Sequence, residues 1–222
     1  MRLLIDDAGI DLIKEIYEYF PVAGVTTNPA ILAKTGREPY EVLNEIREFI
    51  GPDADLHAQV IGTLAADMIL EAARIRAELG ENTYVKIPVT REGLKAIRLL
   101  RGSGNITATA VYTPMQAYLA GEAGAACVAP YVNRIDNLGQ DGVQTVKDIQ
   151  DIFSNNRMSA TVIAASFKNT HQVLELAKYG VNAATAAPDI IEGFIRNDSV
   201  TAAVDAFAGG FEAQYGKGSD MK

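Results

Sequence analysis

Short apolar runs alternate with longer segments of helical periodicity along the whole chain. The short runs predict strands over Leu3–Asp6, Gly24–Thr27, Leu56–Ile61, Tyr84–Val89, Ile106–Val111, Cys127–Val132, Thr161–Ala165 and Ala183–Ala186. The segments between them predict helices over Ile10–Phe20, Pro39–Ile50, Leu64–Leu79, Arg91–Leu100, Thr113–Gly121, Gly142–Phe153, Thr170–Ala177 and Asp189–Phe194. In the first of these, Ile10, Ile13, Ile16, Tyr17 and Phe20 share one face. The third runs into Gly80, a common helix terminator. A last helix, Val200–Tyr215, has no strand after it.

Strand followed by helix, repeated, argues for a parallel sheet covered by helices. Eight such units of roughly 25 residues match an α/β protein built as one (β/α)8 TIM barrel with an additional C-terminal helix. The eighth strand carries the weakest signal, because Asn182–Ala187 is rich in alanine and poor in strong β-formers. An open doubly wound sheet is the alternative that the pattern alone leaves standing. No linker, low-complexity stretch or charge block divides the chain, so residues 1–222 are expected to form a single domain. The C-terminal helix is expected at about residues 199–215, with 216–222 as a disordered tail.

Composition narrows the partners. The chain is 48% hydrophobic and 22% charged, with a mean hydropathy of +0.05. Its formal charge of −8 repels phosphate backbones and argues against nucleic acid. A local cationic pocket still permits a phosphorylated small molecule. The one cysteine, Cys127, lies in an apolar run and reads as a buried free thiol, which fits a cytoplasmic location. The first residues lack the apolar stretch of a signal peptide, and no apolar run approaches the ~20 residues of a membrane span. His57 and His171 are far apart and no His or Cys cluster has metal-ligand spacing, so no metal is expected. The stretches around Gly102 and Gly139 match no dinucleotide or P-loop pattern, so no nucleotide cofactor is expected either.

Polar residues recur where a barrel does chemistry, at the C-terminal ends of its strands. Asp6, Thr26, Thr27, Asn28, Gln59, Lys86, Thr109, Tyr131, Arg134 and Ser166 all fall there. Lys86 is the sharpest. By alternation it faces opposite to Val85, Ile87 and Val89, and so points into the barrel. A desolvated lysine loses basicity, and a neutral amine attacks a carbonyl to form a Schiff base. The competing reading is a lysine at a strand end that snorkels to water.

Asp6 is read as a proton-transfer group, with the neighbouring Asp7 better placed to cap the following segment. Gln59, Thr109 and Tyr131 together suit the holding of one water, or else are satisfied interior polar groups. Arg134 with Ser166 suits a phosphate. A surface ion pair from Arg134 to Asp136 or Asp141 is the bland alternative. His57 shares the face of Gln59 and is a candidate pocket residue, whereas His171 opens a helix and is expected to be exposed.

Several stretches resemble the transaldolase family. Gly24-Val25-Thr26-Thr27-Asn28-Pro29 is similar to its early signature, and Val85-Lys86-Ile87-Pro88-Val89-Thr90 to its lysine motif. Ala129-Pro130-Tyr131-Val132-Asn133-Arg134-Ile135-Asp136 and Ala164-Ala165-Ser166-Phe167-Lys168 resemble its sixth and seventh strand ends. The likeness runs from Leu3 to about Phe211. The small fructose-6-phosphate aldolase branch fits best. Gln59 stands where transaldolases usually carry glutamate, and Tyr131 where they usually carry phenylalanine.

The resemblance implies a class I aldolase without metal or other cofactor, acting on a ketose or sugar phosphate and an aldehyde. A transaldolase is the near alternative, and a non-catalytic sugar-phosphate-binding barrel the distant one. It implies Lys86 as the Schiff-base lysine, Asp6 and Tyr131 as proton-transfer groups, and Gln59 and Thr109 as holders of the catalytic water. Asn28 would hold donor hydroxyls beside Thr26, and Arg134 and Ser166 the acceptor phosphate. It also implies a homo-oligomer, often a decamer, with the C-terminal helix reaching a neighbour. Two positions and one strand depart from the pattern. His57 stands where the aldolases often have an aromatic residue and Thr107 where they have an aliphatic one, both expected to line the acceptor side. The eighth strand is also less apolar than the family's.

Overall fold

The structure is a computed structural model describing residues 1–222. Eight parallel strands close into a barrel in sequence order: β1 (Arg2–Asp6), β2 (Gly24–Thr26), β3 (Asp55–Gln59), β4 (Tyr84–Pro88), β5 (Ile106–Val111), β6 (Cys127–Pro130), β7 (Thr161–Ala164) and β8 (Ala183–Ala186). β8 pairs with β1 from Arg2↔Ala183 to Ile5↔Ala186, so the alanine-rich segment closes the ring and the open-sheet alternative falls. Between strands lie α1 (Ile10–Tyr19), α2 (Pro29–Lys34), α3 (Pro39–Ile50), α4 (Ala65–Leu79), α5 (Arg91–Leu99), α6 (Pro114–Ala123), α7 (Val132–Asp136), α8 (Gly142–Asn155), α9 (Thr170–Tyr179) and α10 (Pro188–Glu192), with α11 (Asp198–Tyr215) last.

Two short helices were not expected. α2 starts because Asn28 accepts hydrogen bonds from the backbone N–H groups of Ala30 and Ile31, with Pro29 in the first helical position. α7 follows β6 directly, because Val132 N–H is drawn to the Ala165 carbonyl and Asn133 N–H to the Ser166 carbonyl. That ends β6 at Pro130 rather than at Val132. β3 likewise ends at Gln59 rather than Ile61, because the amides of Ile61 and Gly62 turn away to the Glu71 carboxylate at 2.5 and 2.9 Å.

The main core lies between barrel and helices, where residues such as Ile5, Val25, Leu56, Val85, Ile87, Val128 and Val162 face outward from the strands. A smaller cluster of Leu4, Cys127, Ile163 and Ala183 fills the barrel itself. The two sets alternate along β1, β6, β7 and β8, as a closed barrel requires. α5 packs unusually close to β4: a Cβ on Gly93 would lie 1.8 Å from the Pro88 carbonyl oxygen. That approach, together with the Thr90 cap on Gly93 N–H, fixes the loop after the Lys86 strand.

α11 buries none of its residues, and Val200, Val204, Phe207 and Tyr215 on it are exposed. Beyond it, Gly218 N–H donates to the Glu212 carboxylate, and the Ser219 hydroxyl donates to the Tyr215 carbonyl. No helix is long and apolar enough to cross a membrane.

Candidate active site

The predicted polar residues converge inside the C-terminal end of the barrel. Lys86 is 6% exposed, and its Nζ donates to the Thr27 carbonyl at 2.7 Å. Burial lowers its pKa below 10.5, and the charge of Asp6 opposes that fall. The snorkelling alternative is not realised, since the amine points inward.

Asp6 shows the reverse balance. Burial raises its pKa above 3.8, while the Lys86 charge and a hydrogen bond from Thr26 pull it down. The Thr26 hydroxyl donates to Asp6 Oδ1 at 2.7 Å and lies 2.7 Å from the Thr185 hydroxyl. Asp7 accepts from the amides of Ala8 and Gly9 in a local turn just before α1, and the helix cap itself, Gly9, has no side-chain bond.

On the far side of the lysine, the Thr109 and Tyr131 hydroxyls meet at 2.8 Å. The register of β5 against β6 shifts between Ala108 and Val111, and Ala110 takes a φ of 56° there. This bulge lies beside Thr109 at the rim. Gln59 is paired in register with Lys86, and its Oε1 is buried without a protein partner. It borders a cavity of about 400 Å³ at the mouth, which Pro29, Pro88, Thr90 and Arg91 also line.

Arg134 is exposed, and its guanidinium lies 4.7 Å over the Tyr131 ring. The Tyr112 ring meets Tyr131 edge-on at 5.7 Å, on the same side of the rim. The bland reading of Arg134 is not realised: Asp136 accepts from Gly142 N–H and from Gln172, and Asp141 caps α8. Ser166 follows β7 with a φ of 61°, a conformation costly for any residue but glycine, and its carbonyl is tied to α7 through Asn133. The Asn28 oxygen is taken by α2, which leaves its amide N–H groups free to donate.

His57 and Thr107 are placed differently from the expectation. They are 0% and 1% exposed, and His57 Nδ1 lies 3.0 Å from the Thr107 hydroxyl. They sit beneath the rim instead of lining its open side. His171 is exposed on α9, away from the site. Nowhere do three or more His, Cys, Asp and Glu side chains gather in a metal-binding arrangement. Sequence reasoning did not single out Thr185 or Tyr112. Thr185 was readable as the one polar side chain within β8, and Tyr112 as the residue that directly follows β5.

Residues 3–221 match the family described as Transaldolase/Fructose-6-phosphate aldolase. A probable transaldolase of Symbiobacterium thermophilum is 38% identical over 218 residues, covering 98% of this chain and 100% of that protein. A probable transaldolase of Clostridioides difficile is 39% identical over 208 residues, covering 93% of this chain and 95% of that protein. A probable fructose-6-phosphate aldolase of Streptococcus pneumoniae is 38% identical over 210 residues, with coverage of 94% and 95%.

Proposed function

The chain belongs to the transaldolase and fructose-6-phosphate aldolase family of enzymes, and from that premise we propose that it is a metal-independent class I aldolase. The reaction is cleavage or formation of fructose 6-phosphate, with dihydroxyacetone as one product and glyceraldehyde 3-phosphate or a related aldehyde as the other. The observation that carries this reading is the inward-pointing, buried Lys86 amine, whose basicity burial depresses.

The neutral amine adds to the C2 carbonyl, and loss of water gives an iminium ion. Tyr131, or Asp6 through a water, takes the C4 hydroxyl proton. The electron pair of the C3–C4 bond then moves into the iminium, leaving a three-carbon enamine on Lys86 and releasing the aldehyde. Protonation of the enamine carbon and addition of water, held by Gln59, Thr109 and Tyr131, release dihydroxyacetone and restore the amine. Asn28 and Thr26 serve the donor end, and Arg134 and Ser166 the phosphate.

The names of the relatives divide between transaldolase and aldolase at nearly equal identity, so they favour neither activity for this chain. Gln59 and Tyr131 favour the aldolase. Borohydride reduction with dihydroxyacetone, followed by peptide mapping, tests the lysine, and a reduced three-carbon adduct is expected on Lys86 alone. Free dihydroxyacetone released from fructose 6-phosphate without an acceptor supports the aldolase. Transfer to erythrose 4-phosphate with no such release supports the transaldolase.

A homo-oligomer in the cytoplasm completes the proposal. The unburied apolar face of α11 supports assembly, and the free buried Cys127 is consistent with a reducing compartment. Loss of the assembled mass, measured by light scattering, is expected on truncation after Asn197.

A further inference from the structure

β3, β4 and β5 are adjacent in the barrel, yet His57 on β3 and Thr107 on β5 touch each other. Their bond therefore crosses the inner face of β4, between two of its inward side chains, Tyr84 and Lys86. Below the bond, the His57 ring stacks on Tyr84 with centroids 4.3 Å apart and planes 10° from parallel. Above it, Lys86 is the register partner of Thr107 on one side and of Gln59 on the other. The lysine amine reaches past β3 to the Thr27 carbonyl, which follows Thr26, the register partner of His57. The aliphatic stem of Lys86 thus crosses β3 between Gln59 and His57.

We propose that His57 is a positioning residue for Lys86: clamped by Thr107 and by Tyr84, its ring is the floor that holds the lysine stem level and aims the amine at the donor carbonyl. This goes beyond the Schiff-base reading and rests on it. It also accounts for two polar residues that are fully buried inside the barrel. Burial and the Lys86 charge hold the His57 pKa well below 6.5, so the ring is neutral and acts by shape and hydrogen bonding. A side chain aimed only by packing is free to tilt, and a misplacement of about 1 Å at a reacting group costs on the order of 100-fold in rate.

The test uses the full chain, with the rate of borohydride-trapped adduct formation at saturating dihydroxyacetone as readout. Urea unfolding confirms that each variant is folded. Thr107→Val, nearly isosteric, is expected to slow trapping about 10-fold while leaving KM for the aldehyde within twofold. Thr107→Ser, which keeps the hydroxyl, is expected to recover most of the rate. His57→Phe keeps the stack but not the bond. It is expected to slow trapping like Thr107→Val, and the double variant no more than the worse single one, because both remove one interaction. Folded Thr107→Val and His57→Phe proteins that trap at the wild-type rate overturn the proposal while leaving the Schiff base intact. Additive losses in the double variant also overturn it. A wild-type protein that forms no adduct defeats the Schiff-base reading instead.

Discussion

Replacing Thr26 by valine removes one hydroxyl and almost no volume, and so isolates the support of Asp6. Thr26 is 2% exposed and has one proton to give, which goes to Asp6 at 2.7 Å; the 2.7 Å contact with Thr185 is then donated by Thr185. A hydrogen bond to a charged acceptor contributes about 1.5–3 kcal/mol and a neutral one about 0.5–1.5. Exchanging hydroxyl for buried methyl returns roughly 1 kcal/mol. Thr26→Val should therefore lose about 1–3 kcal/mol at pH 8.

The pH dependence follows from the same bond. Burial raises the Asp6 pKa above 3.8 and Thr26 opposes the rise, so the variant's Asp6 pKa lies higher still. Above both values the charged part of the loss is complete. As pH falls through the variant's pKa and then the wild-type's, that part fades, and only the neutral bond's share remains. Urea unfolding of wild type, Thr26→Val and Thr26→Ser at pH 8 and pH 4 measures it, the serine control retaining the hydroxyl. Equal losses for valine and serine, or a valine loss identical at both pH values, would refute the account of Asp6.

Three further outcomes follow from the same geometry. Arg134→Lys loses both the forked donors and the stack on Tyr131, so KM for a phosphorylated aldehyde should rise on the order of 10-fold, with little change for an unphosphorylated one in steady-state assays. Gly93→Ala sets a Cβ 1.8 Å from the Pro88 oxygen and should cost about 1–3 kcal/mol in urea unfolding. The Lys86 pKa lies below 10.5 in the folded chain, so between the two values the unfolded chain binds the extra proton and stability from this group rises with pH. Lys86→Met should flatten that rise as pH climbs toward 10.5.

The barrel was legible because each strand is buried on its outer face against a helix, which leaves a period-2 code for the inner face. That code placed Asp6, Gln59, Lys86, Thr109 and Tyr131 correctly from single strands. It read β8 weakly because alanine has little β-preference, although Ala183–Ala186 closes the ring through its backbone ladder and needs no bulky side chain to do so. What single strands do not encode is depth. His57 and Gln59 share a face two residues apart, and only the registers His57↔Tyr84 and Gln59↔Lys86 put one under the lysine and the other beside it. The bulge at Ala110 was hidden for a different reason: alanine is disfavoured at positive φ, so nothing in the residue advertises the conformation. The catalytic end of this protein is thus specified twice, by residue type along each strand and by stagger between strands. The second specification sets how deep each polar group lies in the barrel.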